Sequence, residues 1–357
     1  MEILQHMQEY GHEQLVVCSE PSIGLKAFIA IHDTTLGPSC GGLRIWPHST
    51  EQEAVWDVLR LSRAMTYKSA VAGLPLGGGK GLIIADSRKE KTEAMLRAFG
   101  QFIDSLGGRY ITTEDVGMSP RDLEFIAEET NYVVGLPESM GGSGDTSVMT
   151  GLGVYLGIKA AAKATWSSDD LTDRTIAIQG FGNVGFNLAT HLIEEGAKLI
   201  VTDLHEDALN RAREIGAEVV KSEDIYDAEC DIFSPCALGS VLNTNTIPRL
   251  KCKVVAGGAN NQLENESDGE LLHKRGILYA PDYVINAGGI INAGSEIGGV
   301  YYPTRARELT ERIYETTEDV IKTSRVEGIP TSTAANRLAE RRIKAVQALK
   351  KIRPRDF

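Results

Sequence analysis

Thr175-Ile176-Ala177-Ile178-Gln179-Gly180-Phe181-Gly182-Asn183-Val184-Gly185 is the stretch that decides the fold. Its first five residues read as a short apolar strand, three glycines follow with G-x-G-x-x-G spacing, and Asn183 to Glu195 continues as a helix. Asp203 closes the next strand, 23 residues after the first glycine. The glycine spacing alone fits an ordinary tight turn. With the strand before it, the helix after it and the acidic residue in place, it is a dinucleotide fingerprint. Gly180, Phe181, Gly182, Asn183, Val184 and Gly185 let a helix N-terminus meet a pyrophosphate, whose charge the helix dipole favours. Asp203 suits ribose hydroxyls and repels a 2′-phosphate, so NAD is expected over NADP.

Working outward, strands are expected at 175–179, 198–202, 218–221, 231–233, 253–256 and 277–280, with helical segments between several of them. That alternation makes βαβ units and a parallel, doubly wound sheet. Thr150 to Thr165 is alanine-rich and helical, and the Thr150 hydroxyl is a candidate partner for the nicotinamide amide. Thr304–Arg325 and Thr331–Lys351 read as long charged helices separated by Gly328 and Pro330. Gly141-Gly142-Ser143-Gly144 reads as a joint. The division is therefore an N-terminal α/β domain over 1–140, bearing the substrate site and subunit contacts, and a Rossmann-type domain over 150–330. The helix at 331–357 is a candidate to return to the first domain.

Within 1–140, Leu25–Ile31, Gly41–Ile45 and Arg109–Thr113 read as strands, Lys91–Leu106 as a helix, and Ser119-Pro120 as a helix start. Ser49-Thr50-Glu51-Gln52 resembles a capping box with Ser49 as the cap. Gly77-Gly78-Gly79-Lys80-Gly81 reads as a glycine-rich turn feeding a buried strand, Leu82-Ile83-Ile84-Ala85. Lys68 ends the helical pattern twelve positions before Lys80. Two lysines over a glycine floor suit one anionic carboxylate and one reactive centre, and a neighbouring cation makes a lysine a better base near neutral pH. The bland alternative is a solvated lysine in a turn. Asp115 follows the strand ending at Thr113, with helix capping as its bland alternative.

The 357 residues favour two domains, and a net charge of −12 argues against nucleic-acid or anionic-membrane partners. No signal peptide or membrane-length apolar run is evident. Five cysteines without metal-ligand spacing suggest reduced thiols in a cytoplasmic protein with no metal site. His32 and His191 read as core or helix-face residues, and Cys236 and Cys252 as small buried hydrophobes.

Longer stretches resemble the glutamate/leucine/phenylalanine/valine dehydrogenase family, closest to its leucine branch, over essentially the whole chain. They are Ile31–Pro38, Met65-Thr66-Tyr67-Lys68, Gly77–Lys80, Thr113–Gly117, Ser234–Gly239, Ala259–Leu263 and Pro281–Gly289. The resemblance implies reversible oxidative deamination of an L-amino acid to the 2-oxo acid and ammonium, with NAD reduced to NADH, in a homo-oligomer. It implies that Lys68 binds the substrate carboxylate with Gly41, Gly42, Met65 and Asn261 nearby, that Lys80 is the catalytic lysine, and that Asp115 exchanges protons with the amino group. Cys236, Ala237 and Asn260 join the cofactor set.

The resemblance also bears on the substrate side chain. Glutamate-using members place a lysine just before Gly-Gly-Leu-Arg, where this chain has Cys40. Without that cation a buried side-chain carboxylate costs several kcal/mol, roughly, so an apolar substrate is expected. The implied walls are Cys40, Thr113, Ile290 and Ala293, where leucine enzymes tend to have a leucine, an alanine and two valines. Cys40 and Ala293 deepen the pocket and Ile290 adds bulk. Gly144-Asp145-Thr146-Ser147 looks like phenylalanine-type members, which keeps a bulky apolar substrate open as the alternative. A non-catalytic NAD-binding sensor is the reading from another class; it predicts loss of Lys80 or Asp115, and both are present.

Overall fold

The computed structural model describes residues 2–349. It divides into two compact units, one of residues to Asp145 with Ala293–Pro303 and the chain from Ala339, the other of Thr146–Asn292 with Thr304–Leu338. The last helix expected from sequence runs on to Lys351, and its final two residues lie outside the described ones.

The first unit opens with α1 (Ile3–Tyr10), β1 (Gln14–Glu20), β2 (Leu25–Asp33) and β3 (Ser39–Ile45). It continues with α2 (Glu51–Val71), β4 (Gly77–Ile83), α3 (Glu93–Asp104), β5 (Tyr110–Glu114) and α4 (Pro120–Ala127). The sheet order is β1-β2-β4-β3-β5. β2 pairs antiparallel with β1 and β4, whereas β3 runs parallel to β4 and β5. β2 shows how the layers form. Ala27, Ile29 and Ile31 join a core with Leu96, Phe99, Ile103, Leu123 and Ile126 of α3 and α4. Phe28 and Ala30 alternate onto the other face, against Val55, Val58 and Leu59 of α2. Each such fully buried aliphatic side chain contributes about 1.5–3 kcal/mol.

Two readings of this unit need correction. The glycines do not form a turn before a strand: Gly77–Ile83 is itself the strand, buried along its length. The reason is packing, because α2 crosses it so closely that a Cβ on Gly78 would lie 2.2 Å from Thr66 N and 2.4 Å from Ser62 O. The capping box sits one residue later than expected. Thr50 is the cap and accepts from Glu53 N, while the Glu53 carboxylate accepts from Ser49 N. β1 and α1 were not read from the sequence; β1 takes its place as an edge strand through pairing with β2.

The second unit holds α5 (Ser147–Trp166), β6 (Thr175–Gln179), α6 (Asn183–Glu194), β7 (Lys198–Thr202), α7 (Glu206–Glu214) and β8 (Glu218–Val219). After these come β9 (Ile232–Pro235), β10 (Val254–Val255), α8 (Glu266–Lys274), β11 (Leu278–Tyr279) and α9 (Asp282–Ile285). α10 (Gly288–Gly294), α11 (Pro303–Glu311), α12 (Ile313–Glu327) and α13 (Thr331–Leu349) follow in chain order, α13 belonging to the first unit from Ala339 on. All six strands are parallel, in the order β11-β10-β9-β6-β7-β8. The order reverses between β6 and β9, and it is beyond the carboxyl ends of strands at such a reversal that open α/β sheets bind ligands. Ala177, Phe233, Val255 and Tyr279 face one core with Ile225, Leu242, Ile247 and Leu272.

The expected helix at Thr304–Arg325 is two helices, broken at Arg312. Just before the break the Thr310 hydroxyl donates to Ala306 O at 2.8 Å, a back-bond that bends helices. Ala293–Pro303 does not belong with the nucleotide domain, where the sequence reading placed it. Glu296 anchors it in the first unit, its Oε1 accepting from Gly135 N at 3.0 Å and Ser143 N at 2.7 Å.

Candidate active site

The first unit gathers most of the expected substrate residues around β3, β4 and the end of β5. Gly41 and Gly42 lie where strands press together. A Cβ on Gly41 would fall 1.9 Å from Gly79 O and 3.2 Å from Met65 Cγ, and one on Gly42 would fall 2.7 Å from Asp115 Cβ. The Tyr110 hydroxyl donates to Gly41 O at 2.8 Å and fixes this floor from below. Lys80, on the central strand β4, is 5% exposed. Its Nζ lies 3.0 Å from Asp115 Oδ2. The charge close to Lys80 is therefore a carboxylate. Lys68 lies in the last turn of α2 and Met65 one turn before it, both partly exposed.

Asp115 follows β5 directly and its side chain is 20% exposed. Burial alone would raise its pKa. The charges of Lys80 and Arg44 and their hydrogen bonds outweigh burial and hold the carboxyl below its ordinary value. Its neighbour Glu114 moves the other way, pushed up by burial and then by the Asp145 and Asp115 charges. Sequence reasoning passed over Arg44, whose Nε lies 3.0 Å from Asp115 Oδ2 and whose Nη1 lies 3.0 Å from Asp57 Oδ2. A signal was available: Arg44 stands two residues after Gly42 on one strand, hence on the same face.

Of the four expected pocket walls, Cys40, Thr113 and Ala293 belong to the first unit and Ile290 to the second. Cys40 and Ala293 have essentially no solvent-reachable surface, and Thr113 is partly exposed. Burial pushes the Cys40 thiol up to about 12, so it stays protonated and is not a nucleophile. Asn261 also lies in the second unit, with a left-handed backbone, φ 52°.

In the second unit the three fingerprint glycines differ in what surrounds them. Gly180 turns the chain at φ 99°, and a Cβ there would sit 2.5 Å from Ala237 Cβ. A Cβ on Gly185 would lie 2.3 Å from Gly180 O, so this glycine lets α6 pack on the turn. Gly182, the N-cap of α6, has nothing within 4 Å and no side-chain cap. Open space therefore faces the uncapped N–H groups of a 12-residue helix, which fits a pyrophosphate. Asp203 follows β7; its Oδ2 accepts from Phe181 N at 2.6 Å and its Oδ1 from His205 N at 2.9 Å. Each oxygen keeps a lone pair for a ribose hydroxyl.

Cys236 N donates to Gln179 O at 2.7 Å, and Gly258 N donates to the Cys236 thiol at 3.4 Å, so this cysteine ties β9 to the fingerprint turn. Asn260 Oδ1 accepts from Asn286 Nδ2 at 2.8 Å. The Thr150 hydroxyl donates to Thr146 O at 2.8 Å within α5, which leaves it as an acceptor for an amide N–H. His32 is a core residue, its ring bonded to the Thr66 hydroxyl and Tyr10 O.

Two family models match the chain, the Glu/Leu/Phe/Val dehydrogenase dimerisation domain over residues 12–132 and the glutamate/leucine/phenylalanine/valine dehydrogenase domain over 141–204 and 201–350. The leucine dehydrogenase of Geobacillus stearothermophilus is 53% identical over 348 residues, covering 97% of this chain and 95% of that protein. The phenylalanine dehydrogenase of Lysinibacillus sphaericus is 47% identical over 345 residues, covering 94% and 90%. The crystal structure of L-tryptophan dehydrogenase from Nostoc punctiforme superposes with a TM-score of 0.86 at 47% identity, covering 97% of this chain and 99% of that one.

Proposed function

This chain belongs to the glutamate/leucine/phenylalanine/valine dehydrogenase family and is an amino-acid dehydrogenase, and we propose that it oxidatively deaminates an apolar L-amino acid with NAD, leucine and its branched-chain relatives first. The observation that carries this reading is the Lys80–Asp115 pair, 3.0 Å apart over a floor of glycines. A cation that polarises an oxygen and a carboxylate that takes a proton are what the two halves of a deamination need.

Lys68 holds the substrate carboxylate, with Met65 beside it and the backbone at Gly41 and Gly42 close by. Asp115 takes the proton from the substrate ammonium, leaving the free amine whose lone pair assists oxidation at Cα. NAD, when bound, accepts the hydride that leaves Cα. Water then adds to the resulting iminium carbon. Lys80 polarises the developing oxygen and handles the proton of that water, and Asp115 returns a proton to the departing ammonia. The balance is amino acid, NAD⁺ and water to 2-oxo acid, ammonium, NADH and one proton. Gly180 to Gly185 hold the pyrophosphate, Asp203 the ribose, and Thr150, Cys236, Ala237 and Asn260 line the rest of the cofactor site. Asp203 favours NAD over NADP.

Cys40 in place of a cation supports an apolar side chain, and its thiol is kept neutral by burial. A bulky aromatic substrate is the second reading, favoured by the small Cys40 and Ala293 and by 47% identity to the tryptophan enzyme. Self-association through the exposed edge of β1 is part of the same proposal, since Val17 there is 68% exposed. Five free thiols suit a reducing, cytoplasmic setting. The test is NADH absorbance with leucine, valine, isoleucine, phenylalanine and tryptophan, comparing kcat/KM. Lys80→Ala is expected to lose nearly all turnover while still binding NADH. Turnover with none of the panel favours the sensor, and an active Lys80→Ala removes Lys80 from the mechanism.

A further inference from the structure

Asp115 is held from two sides by one oxygen. Arg44 Nε and Lys80 Nζ each lie 3.0 Å from Oδ2. Neither cation occupies Oδ1. Behind Asp115 the contacts continue, because Arg44 Nη1 lies 3.0 Å from Asp57 Oδ2 and Arg60 Nη2 lies 2.9 Å from Asp57 Oδ1. His48 Nε2 lies 3.4 Å from Asp57 Oδ2. Cation, anion, cation, anion thus alternate from Lys80 through Asp115 and Arg44 to Asp57. The first three members come from β4, the end of β5 and β3, and the fourth from α2.

The strand geometry explains why Arg44 can reach. Gly42 and Arg44 share a face of β3, and the bare Gly42 leaves room for Asp115 Cβ, which a Gly42 Cβ would approach to 2.7 Å. The guanidinium two residues on then meets the carboxylate. Its planar fork presents Nε to one carboxylate and Nη1 to another at a fixed angle, which a lysine ammonium cannot reproduce.

We infer that Arg44 is a positioning residue for the deamination: it fixes Oδ2 of Asp115, leaves Oδ1 to the substrate amine, and with Asp57 behind it sets the charge balance at that carboxylate. The inference rests on the reading of Asp115 as the group that exchanges protons with the amine. Two cations on one carboxylate stabilise its ionised form, and Asp57 partly offsets the second of them. Other charged or titratable groups bearing on this site among the described residues include Glu114 beside Asp115, on which Asp145 and Asp122 act, Tyr110 on β5 and Cys40 on β3.

The experiment is the pH profile of kcat/KM for deamination in the full-length enzyme, with NADH affinity by fluorescence as the control. An acid limb reports the protonation of Asp115. Arg44→Gln removes a cation, so the limb moves to higher pH by about one unit, and the lost positioning of Asp115 separately lowers the plateau of the profile roughly tenfold or more. Arg44→Lys returns the limb close to its original pH without returning the full rate, because charge is restored and the fork is not. Asp57→Asn removes an anion while Arg44 stays, so the limb moves the opposite way, to lower pH. NADH affinity stays unchanged in all three. A limb that stays put in Arg44→Gln overturns the inference, since a merely structural arginine lowers the height of the profile and not its midpoint. Where Arg44→Gln does not fold, failure of Asp57→Asn to shift the limb downward overturns it equally. Asp115→Asn separates the two levels: if it keeps its turnover, the assignment of Asp115 itself falls; if it is inactive while the limbs stay put, only the role of Arg44 falls.

Discussion

Gly78→Ala tests the central packing claim, that a strand of glycines is what brings α2 down onto the strand that carries Lys80. The added methyl would lie 2.2 Å from Thr66 N, 2.2 Å from Thr66 Oγ1 and 2.4 Å from Ser62 O. Ordinary contact begins near 3.4 Å, so the shortfall is about 1 Å on three atoms at once. Ser62 O and Thr66 N are partners in the same i to i−4 helical bond, so the methyl is driven into the ladder and not into a flexible side-chain tip. Thr66 also holds the buried ring of His32 through its hydroxyl, at 2.8 Å, which blocks an easy sideways escape. Overpacking of this kind costs about 3 kcal/mol. For a unit of this size that corresponds to a drop in Tm of roughly 6–12 °C. The assay is thermal unfolding, with Gly299→Ala as the control, because a Cβ at Gly299 meets nothing within 4 Å. α2 also carries Lys68, so a displaced helix raises KM for the amino acid more than for NAD. A Gly78→Ala protein that melts within about 1 °C of the parent refutes the close-crossing explanation.

Asp203→Ser removes the carboxylate that repels a 2′-phosphate, so the kcat/KM ratio of NADP to NAD rises by about tenfold, or about 1.4 kcal/mol, by NADPH and NADH absorbance. The same change loses the bond from Phe181 N, so a modest fall in Tm accompanies it. His12 and His32 are both lowered to about 4, chiefly by burial. The unfolded chain therefore binds more protons between pH 6.5 and 4, and stability is fully present above 6.5 and falls on acidification by ~1.4 kcal/mol per pH unit for each ring. His12→Gln shallows that slope in urea titrations across this range; an unchanged slope rejects the assignment. Val17→Lys places a charge on the exposed edge of β1 and is expected to reduce the assembled fraction by size-exclusion chromatography with little change in monomer Tm.

Local chemistry by itself determined the nucleotide half of the protein. Glycine spacing, a strand before it, a helix after it and Asp203 are all short-range features, and the β6 and β7 boundaries read from sequence coincide with those in the structure. Asp115 was expected just past a strand read as ending at Thr113, and the strand runs one residue further, to Glu114, so that Asp115 follows it directly. What only tertiary structure decided depends on distant segments meeting. Gly77–Gly81 has the composition of a turn and becomes a buried strand because β2, β3 and α2 close around it. Ala293–Pro303 interrupts the second unit in the chain and joins the first because Glu296 finds the backbone of Gly135 and Ser143. Arg44 carried no assigned role in the sequence, because its partner Asp115 lies 71 residues on and meets it only in the fold. A sequence states its hydrogen-bonding and steric needs residue by residue; which partner meets them is settled only when the chain has packed.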